Sequence, residues 1–408
     1  MTAATIAILS MGFTATASAQ TAACTGGGKI SKQIAKQMIA AQDAMKARKW
    51  QESLNKLKEA EAQPGAKSQF DMFHMSEIRA YIYSNQKQDA DAARELEAGL
   101  NSPCMAEAKK PERLKTLVAA FTRLRNFPKA IEYGTRAMKV SGDPELKVLV
   151  AQAYFQSGNN KEAVRIMDEY LNGTAKPKEN DLLLVQAACA KVGDNACTKK
   201  VFEKLVVNYP KTEYWQNLMV EMRRNSDNSD VQTLNVMRLS SHVGVMKRPD
   251  EYKEFAQLSL DEKLACESQT VLEEGFTKKV FVDKRDVDVN TRLLNTAKTR
   301  CVAEKAAVAA AESAGAIAAT GDGLVKAGAQ QLAGGNAAKA VEDIQKGIAK
   351  GSIAKGDPNE AQRVDEAYIL LGIANMKNKN TPEAQKAFRA VKKDPTMVSI
   401  ARLWLLSL

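Results

Sequence analysis

Residues 143–210 read DPELKVLVAQAYFQSGNNKEAVRIMDEYLNGTAKPKENDLLLVQAACAKVGDNACTKKVFEKLVVNYP. Two copies of one helical-hairpin pattern stand back to back in this stretch. The first copy places Pro144, Val150, Ala151, Tyr154, Gly158, Ala163 and Met167; the second places Leu182, Val185, Cys189, Gly193, Phe202 and Pro210 at nearly the same spacings. Apolar residues three and four apart mark one face of a helix, and a glycine between two such runs marks the turn. Asp143, Pro144 and Glu145 open the first copy with an N-cap, a first-turn proline and an acid near the positive helix end.

This spacing resembles the tetratricopeptide repeat, a helix–turn–helix unit of about 34 residues. Working outward in the same register, hairpins are expected at 31–65 (Ile34, Met38, Ala41, then Trp50, Leu54, Leu57), 70–104 (Phe73, Ala80, Tyr83, then Ala92, Leu96, Leu100) and 111–142 (Leu114, Leu117, Phe121, then Ala130, Ile131, Ala137). Weaker copies follow 210, one holding Trp215, Leu218 and Met222 and the next opening at Pro249. The period breaks over 286–320, which reads as a long alanine-rich helix or a degenerate repeat; a hinge between two sub-arrays is the functional alternative. It returns with Leu324, Gly328 and Ile344, then with Tyr368, Leu371, Gly372, Ala384 and Phe388. The expected fold class is therefore all-α, a superhelical array of antiparallel helix hairpins. Its expected parts are a signal peptide (1–19), a flexible lead-in (20–30), an N-terminal array (31–285), the interruption (286–320), C-terminal repeats (321–397) and a capping helix (398–408).

Composition agrees with helices packed through small side chains. Aromatic residues make up only 6% of the 408 residues, and residues with high helix propensity dominate. The eleven prolines all fall at expected hairpin ends or first turns, where the missing N–H costs nothing. A net charge of +11 permits anionic partners of several kinds and does not choose among them.

Residues 2–19 carry no charge, hold the apolar run Ile6, Ala7, Ile8, Leu9, Met11 and Phe13, and end in Ala17-Ser18-Ala19. That run is too short to span a bilayer, and its small C-terminal residues suit signal-peptide cleavage, here before Gln20. No lysine or arginine precedes it, a departure from the usual leader. A periplasmic or secreted protein is expected, with no transmembrane segment in the mature chain. The six cysteines fit such an oxidising compartment as up to three disulfides. The repeat register places Cys189 and Cys197 across one turn, the first expected bridge, and Cys266 and Cys301 at one level of neighbouring helices, the second. Cys24 and Cys104 remain, with their connectivity open. No metal site is expected, because only His74 and His242 are present and no cysteine pair has zinc-knuckle spacing.

What the repeat resemblance implies is a concave surface lined by the first helix of each hairpin, a surface that binds extended peptides or partner helices. On this register the inward positions include Lys115, Arg123, Gln152, Gln156, Lys191, Arg224 and Asn225. Family members that clamp a peptide carboxylate use Lys, Arg and Asn at inward positions; the full arrangement of that clamp is not matched here. The residue types still make a plausible anion-docking face, against the plainer reading of a solvated basic surface. No phosphate loop, nucleophile elbow or zinc-protease motif is present, so no enzyme activity and no cofactor are expected. The expected function is a scaffold in the periplasm or cell envelope that binds a protein or extended peptide over residues 111–225. The alternative is a binder of anionic envelope polymer, polysaccharide or peptidoglycan. Nucleic acid is not an expected partner.

Overall fold

A computed structural model describes Cys24, residues 28–223 and residues 228–408. The expected leader, its cleavage point, Arg224 and Asn225 lie outside the described residues. The chain divides into two compact units, one ending at Asp194 and one beginning at Asn195. The division falls in the turn of the expected fifth hairpin.

The first unit stacks α1 (Ala35–Lys46), α2 (Trp50–Ala62), α3 (Gln69–Asn85), α4 (Asp89–Asn101), α5 (Lys110–Arg123), α6 (Phe127–Val140), α7 (Pro144–Gln156), α8 (Asn160–Gly173) and α9 (Glu179–Val192). Each odd-numbered helix from α1 to α7 pairs with its successor, and each hairpin then packs on the next. One turn recurs after every first helix. A residue in the left-handed region, Arg48, Lys87, Arg125, Gly158 or Gly193, reverses the chain. The N–H of the following residue then reaches back five positions, Lys49 to Ala44, Gln88 to Tyr83, Asn126 to Phe121, Asn159 to Tyr154 and Asp194 to Cys189, at 2.9–3.0 Å. This is the Schellman arrangement, which satisfies carbonyls that the helix end would leave orphaned.

Between hairpins the contact is apolar and close. Leu117, Val118, Ala130, Ala137, Leu146 and Ala153 are buried together in one cluster. Small residues let the helices approach. A Cβ added to Gly134 of α6 would stand 2.2 Å from Val150 Cγ2 of α7, well inside the contact distance of two carbons. Ion pairs stitch the same joints at their edges, Arg113 to Glu77 at 2.6 Å and Lys129 to Glu97 at 2.7 Å, while Lys147 paired to Glu169 at 3.3 Å ties the two helices of one hairpin. A disulfide joins Cys24 to Cys104 across 80 residues. Closing so long a loop restricts the unfolded chain strongly and contributes about 4 kcal/mol in the chain-entropy account.

The second unit comprises α10 (Asn195–Asn208), α11 (Thr212–Arg223), α12 (Asp230–His242), α13 (Pro249–Asp261), α14 (Ala265–Thr277), α15 (Lys284–Ile317), α16 (Asp322–Ala333), α17 (Ala337–Lys350), α18 (Glu360–Lys377), α19 (Thr381–Arg389) and α20 (Pro395–Leu406). Residues 284–317 form one uninterrupted helix of 34 residues. The Lys350 ammonium caps its C-terminal end, donating to the carbonyls of Gly315 (3.1 Å) and Ala316 (2.7 Å). A second disulfide links Cys266 at the start of α14 to Cys301 in α15, and Cys189 and Cys197 are disulfide-bonded as well.

The last helix does more than cover the final hairpin. α20 packs on α18 and α19, and also on α10 and α12. The stack within this unit thus turns back on itself. Trp404 is fully buried, stacks on Phe388 with ring centres 5.6 Å apart and meets His242 at 4.8 Å. The buried guanidinium of Arg238 in α12 bridges Glu366 of α18 and Glu267 of α14, at 2.9 Å each.

Two glycines separate backbone strain from packing. Gly158 has φ +84° and open space around its missing Cβ, so Gly158→Ala should cost about 1–2 kcal/mol from left-handed strain alone. Gly134→Ala is crowded instead and should cost about 1–3 kcal/mol. Denaturant unfolding of both variants checks this, and an unchanged midpoint for Gly134→Ala would contradict the close α6–α7 crossing.

Candidate functional site

The left-handed turns bring the ends of three first helices to one place. α7 packs against α5 on one side and α9 on the other, and their last turns form an open groove of about 790 Å³. From α5 come Thr122, Arg123 and, just past the helix end, Arg125; from α7 come Gln152, Phe155 and Gln156. Gly158 and Asn160 lie at the turn into α8, and Lys191 closes the far side. Among the described residues, three cations line this groove and no carboxylate does.

These cations differ in how they are held. The Arg123 guanidinium forks onto Asp89 at the start of α4, with Nε 2.9 Å and Nη2 2.7 Å from Oδ1. Arg125 and Lys191 make no ion pair among the described residues. Both sit at helix C-terminal ends, where the macrodipole favours positive charge. The side-chain amides of Gln152, Gln156 and Asn160 likewise have no hydrogen-bond partner among the described residues. Phe155 gives the floor of the groove a half-buried aromatic surface.

Of the seven residues expected on the binding face, four (Arg123, Gln152, Gln156 and Lys191) come together here. Lys115 does not. Its ammonium lies 2.8 Å from Asp143 and 2.7 Å from Glu145, the N-cap and first turn of α7, and so ties one hairpin to the next. Burial works against the Lys115 charge, but those two hydrogen bonds outweigh it and raise its pKa. Arg224 and Asn225 lie outside the described residues. Thr122, Arg125, Phe155 and Asn160 were not foreseen. Arg125 had a signal available, since it occupies in its hairpin the place of Gly158 in the next.

The two histidines are packing residues. His74 meets the Phe70 ring at 4.4 Å and Phe73 at 5.8 Å, and burial lowers its pKa. Burial also lowers that of His242, assisted by Lys377. Among the described residues no three His, Cys, Asp or Glu side chains are grouped to hold a metal, and no helix is long and apolar enough to cross a membrane.

No protein-family model matches the chain, and no curated protein matches it. Solved structures do. The chain is similar to a tetratricopeptide repeat protein from Parabacteroides merdae, at 11% identity over 82% of this chain and 98% of that one, with a TM-score of 0.31. It is similar to the TPR2AB-domain:pHSP90 complex of yeast Sti1, at 16% identity over 74% and 99%, TM-score 0.25. The apo form of the quorum sensor NprR from B. thuringiensis is a third, at 13% identity over 87% and 85%, TM-score 0.28. The fold is a tetratricopeptide-like hairpin array. Within the array, the groove is lined from three successive hairpins.

The Lys115 link makes a pH prediction. Hydrogen bonds from Lys115 and Lys178 hold the Glu145 pKa down at about 2, against an ordinary 4.5. A depressed carboxylate stabilises the fold above its unfolded pKa and loses that contribution as pH falls through the folded one. The stabilisation is thus complete above pH 4.5 and fades toward about 2. Glu145→Gln should lower stability modestly near neutrality and flatten the decline over that acid range, since solvent screens so exposed a pair. Urea midpoints measured across the range check this; parallel profiles for wild type and variant would refute it.

Proposed function

We propose that the protein is a non-enzymatic scaffold of the periplasm or cell envelope that holds an acidic, extended protein segment in the groove of α5, α7 and α9. The observation that carries this reading is the lining itself: three cations, three unsatisfied amides, one aromatic ring and no acid. Cations without carboxylate partners favour an anionic ligand, and free amides can pair with the main chain of a peptide laid across them. An open groove built from helix ends admits a chain that continues beyond it on both sides.

Export rests on separate grounds. All six cysteines are in disulfides, and such bonds persist in oxidising compartments. The uncharged apolar stretch of residues 2–19 agrees with such a route. The scaffold role is supported by the hairpin-array fold and by a groove open along three of its helices.

The test is site-specific photocrosslinking in intact cells that express the full chain. A photoreactive residue at Gln156 should give discrete adducts, and one at the exposed Lys161 on α8 should not. Adding Arg125→Glu and Lys191→Glu should remove the Gln156 adducts, while far-ultraviolet circular dichroism stays unchanged. Persistence of those adducts in the folded double variant would overturn the groove as the binding site. Loss of the adducts in high salt together with indifference to peptide competitors would favour an anionic polymer instead.

A further inference from the structure

The cations of the groove are not clustered; they stand at its two sides. Arg125, beside Arg123, marks the α5 side, and Lys191 marks the α9 side. α7 lies between, because it packs against both neighbours. It fills the middle with Gln152, Phe155 and Gln156, none of which carries charge. Arg123 is already forked onto Asp89, which leaves Arg125 and Lys191 as the two cations without an ion pair among the described residues.

Packed helices stand about 8–10 Å apart, so two steps from α5 to α9 set the axes of those two helices roughly 16–20 Å apart. An extended chain advances about 3.3 Å per residue, and about six residues cover that span. A helical ligand would need about twelve residues at 1.5 Å each, and its main chain would offer nothing to the free amides of Gln152, Gln156 and Asn160. The extended form uses them, since its N–H and C=O groups are unpaired. The α7 strip also presents the Phe155 ring, which favours an apolar side chain midway between the charges.

Resting on the groove assignment above, we infer that the ligand is an extended segment with two acidic residues about six positions apart and an apolar residue between them. Arg125 and Lys191 are then specificity-determining residues that measure the spacing of the two acids.

Binding of the full chain to fluorescein-labelled synthetic peptides of one composition tests this by anisotropy. The peptides carry two glutamates and one leucine, with the glutamates spaced by about two, about six or about twelve residues. The six-residue spacing should bind best, by about tenfold, the effect of one added charge-assisted contact of about 1.4 kcal/mol. Lys191→Gln should bring this peptide down to the affinity of a single-glutamate control without abolishing binding. Equal affinity at all spacings, with binding still lost in Arg125→Gln, would overturn the spacing inference and leave the groove assignment standing. Tightest binding at the twelve-residue spacing would overturn the extended form in favour of a helix. Failure of every acidic peptide to bind the folded wild-type chain would overturn the groove assignment itself.

Discussion

The left-handed residue that ends each first helix is the constraint on which the first unit depends. It recurs at Arg48, Lys87, Arg125, Gly158 and Gly193, each followed by a backward hydrogen bond of the same length and span. One geometry repeated five times gives hairpins of one kind, and hairpins of one kind can stack with one set of inter-helix contacts. The turn also decides where the groove is. The side chains of Arg123, Gln156 and Lys191 just before it and of Arg125 at it, with the backbone of Gly158, all line the same opening. Three of the five left-handed residues are Arg or Lys, which accept about 1–2 kcal/mol of strain where glycine would not. Part of that cost is offset by placing a cation against the negative end of a helix.

Legibility in the sequence follows the range of each interaction. Helix faces were readable because apolar spacing is local, and glycine at 158 and 193 fixed the register from which Arg123, Gln152, Gln156 and Lys191 were chosen. Arg125, Phe155 and Asn160 escaped because turn and flank positions have no periodic signature. Lys115 stands apart from the groove for a different reason. An inward register does not show that Asp143 and Glu145, which cap the next hairpin, will stand 2.7–2.8 Å from it. Contacts between distant hairpins were invisible altogether. Arg238 and Glu366 are 128 residues apart, and no repeat pattern predicts that α18 and α20 will pack against α12. The Cys24–Cys104 bridge escaped likewise, because Cys24 precedes the first hairpin and has no register.

The excess of positive charge is less available than its sum implies. Many of the basic residues in the first unit are spent on acids of the neighbouring hairpin: Arg113 on Glu77, Lys115 on Asp143 and Glu145, Arg123 on Asp89, and Lys129 on Glu97. Glu97 also accepts from the Tyr133 hydroxyl at 2.6 Å, which, after burial, is what pushes the Tyr133 pKa upward. These pairs run between hairpins and hold their stacking register. They are structural charges, so they are not the ones a partner meets. What remains in the groove is the smaller set with no acid beside it.

The charges of that remainder are held by the fold itself, which suits them to the proposed binding role. Lys191 lies in the last turn of α9 and Arg125 directly follows α5, so helix ends rather than carboxylates oppose their charge. A helix end contributes about 0.3–1 kcal/mol at an exposed site and leaves the cation solvated and unneutralised. An anionic ligand therefore displaces water and breaks no existing ion pair. Arg123 is the contrast, because Asp89 would have to be given up before a ligand carboxylate could take its fork. The same reasoning explains why the free amides matter. Gln152, Gln156 and Asn160 have no side-chain partner among the described residues, so pairing them with peptide N–H and C=O groups breaks no bond within the protein. In the proposed binding mode, affinity comes from charges and amides held in place by the repeated turn, and discrimination from the distance the turn sets between them.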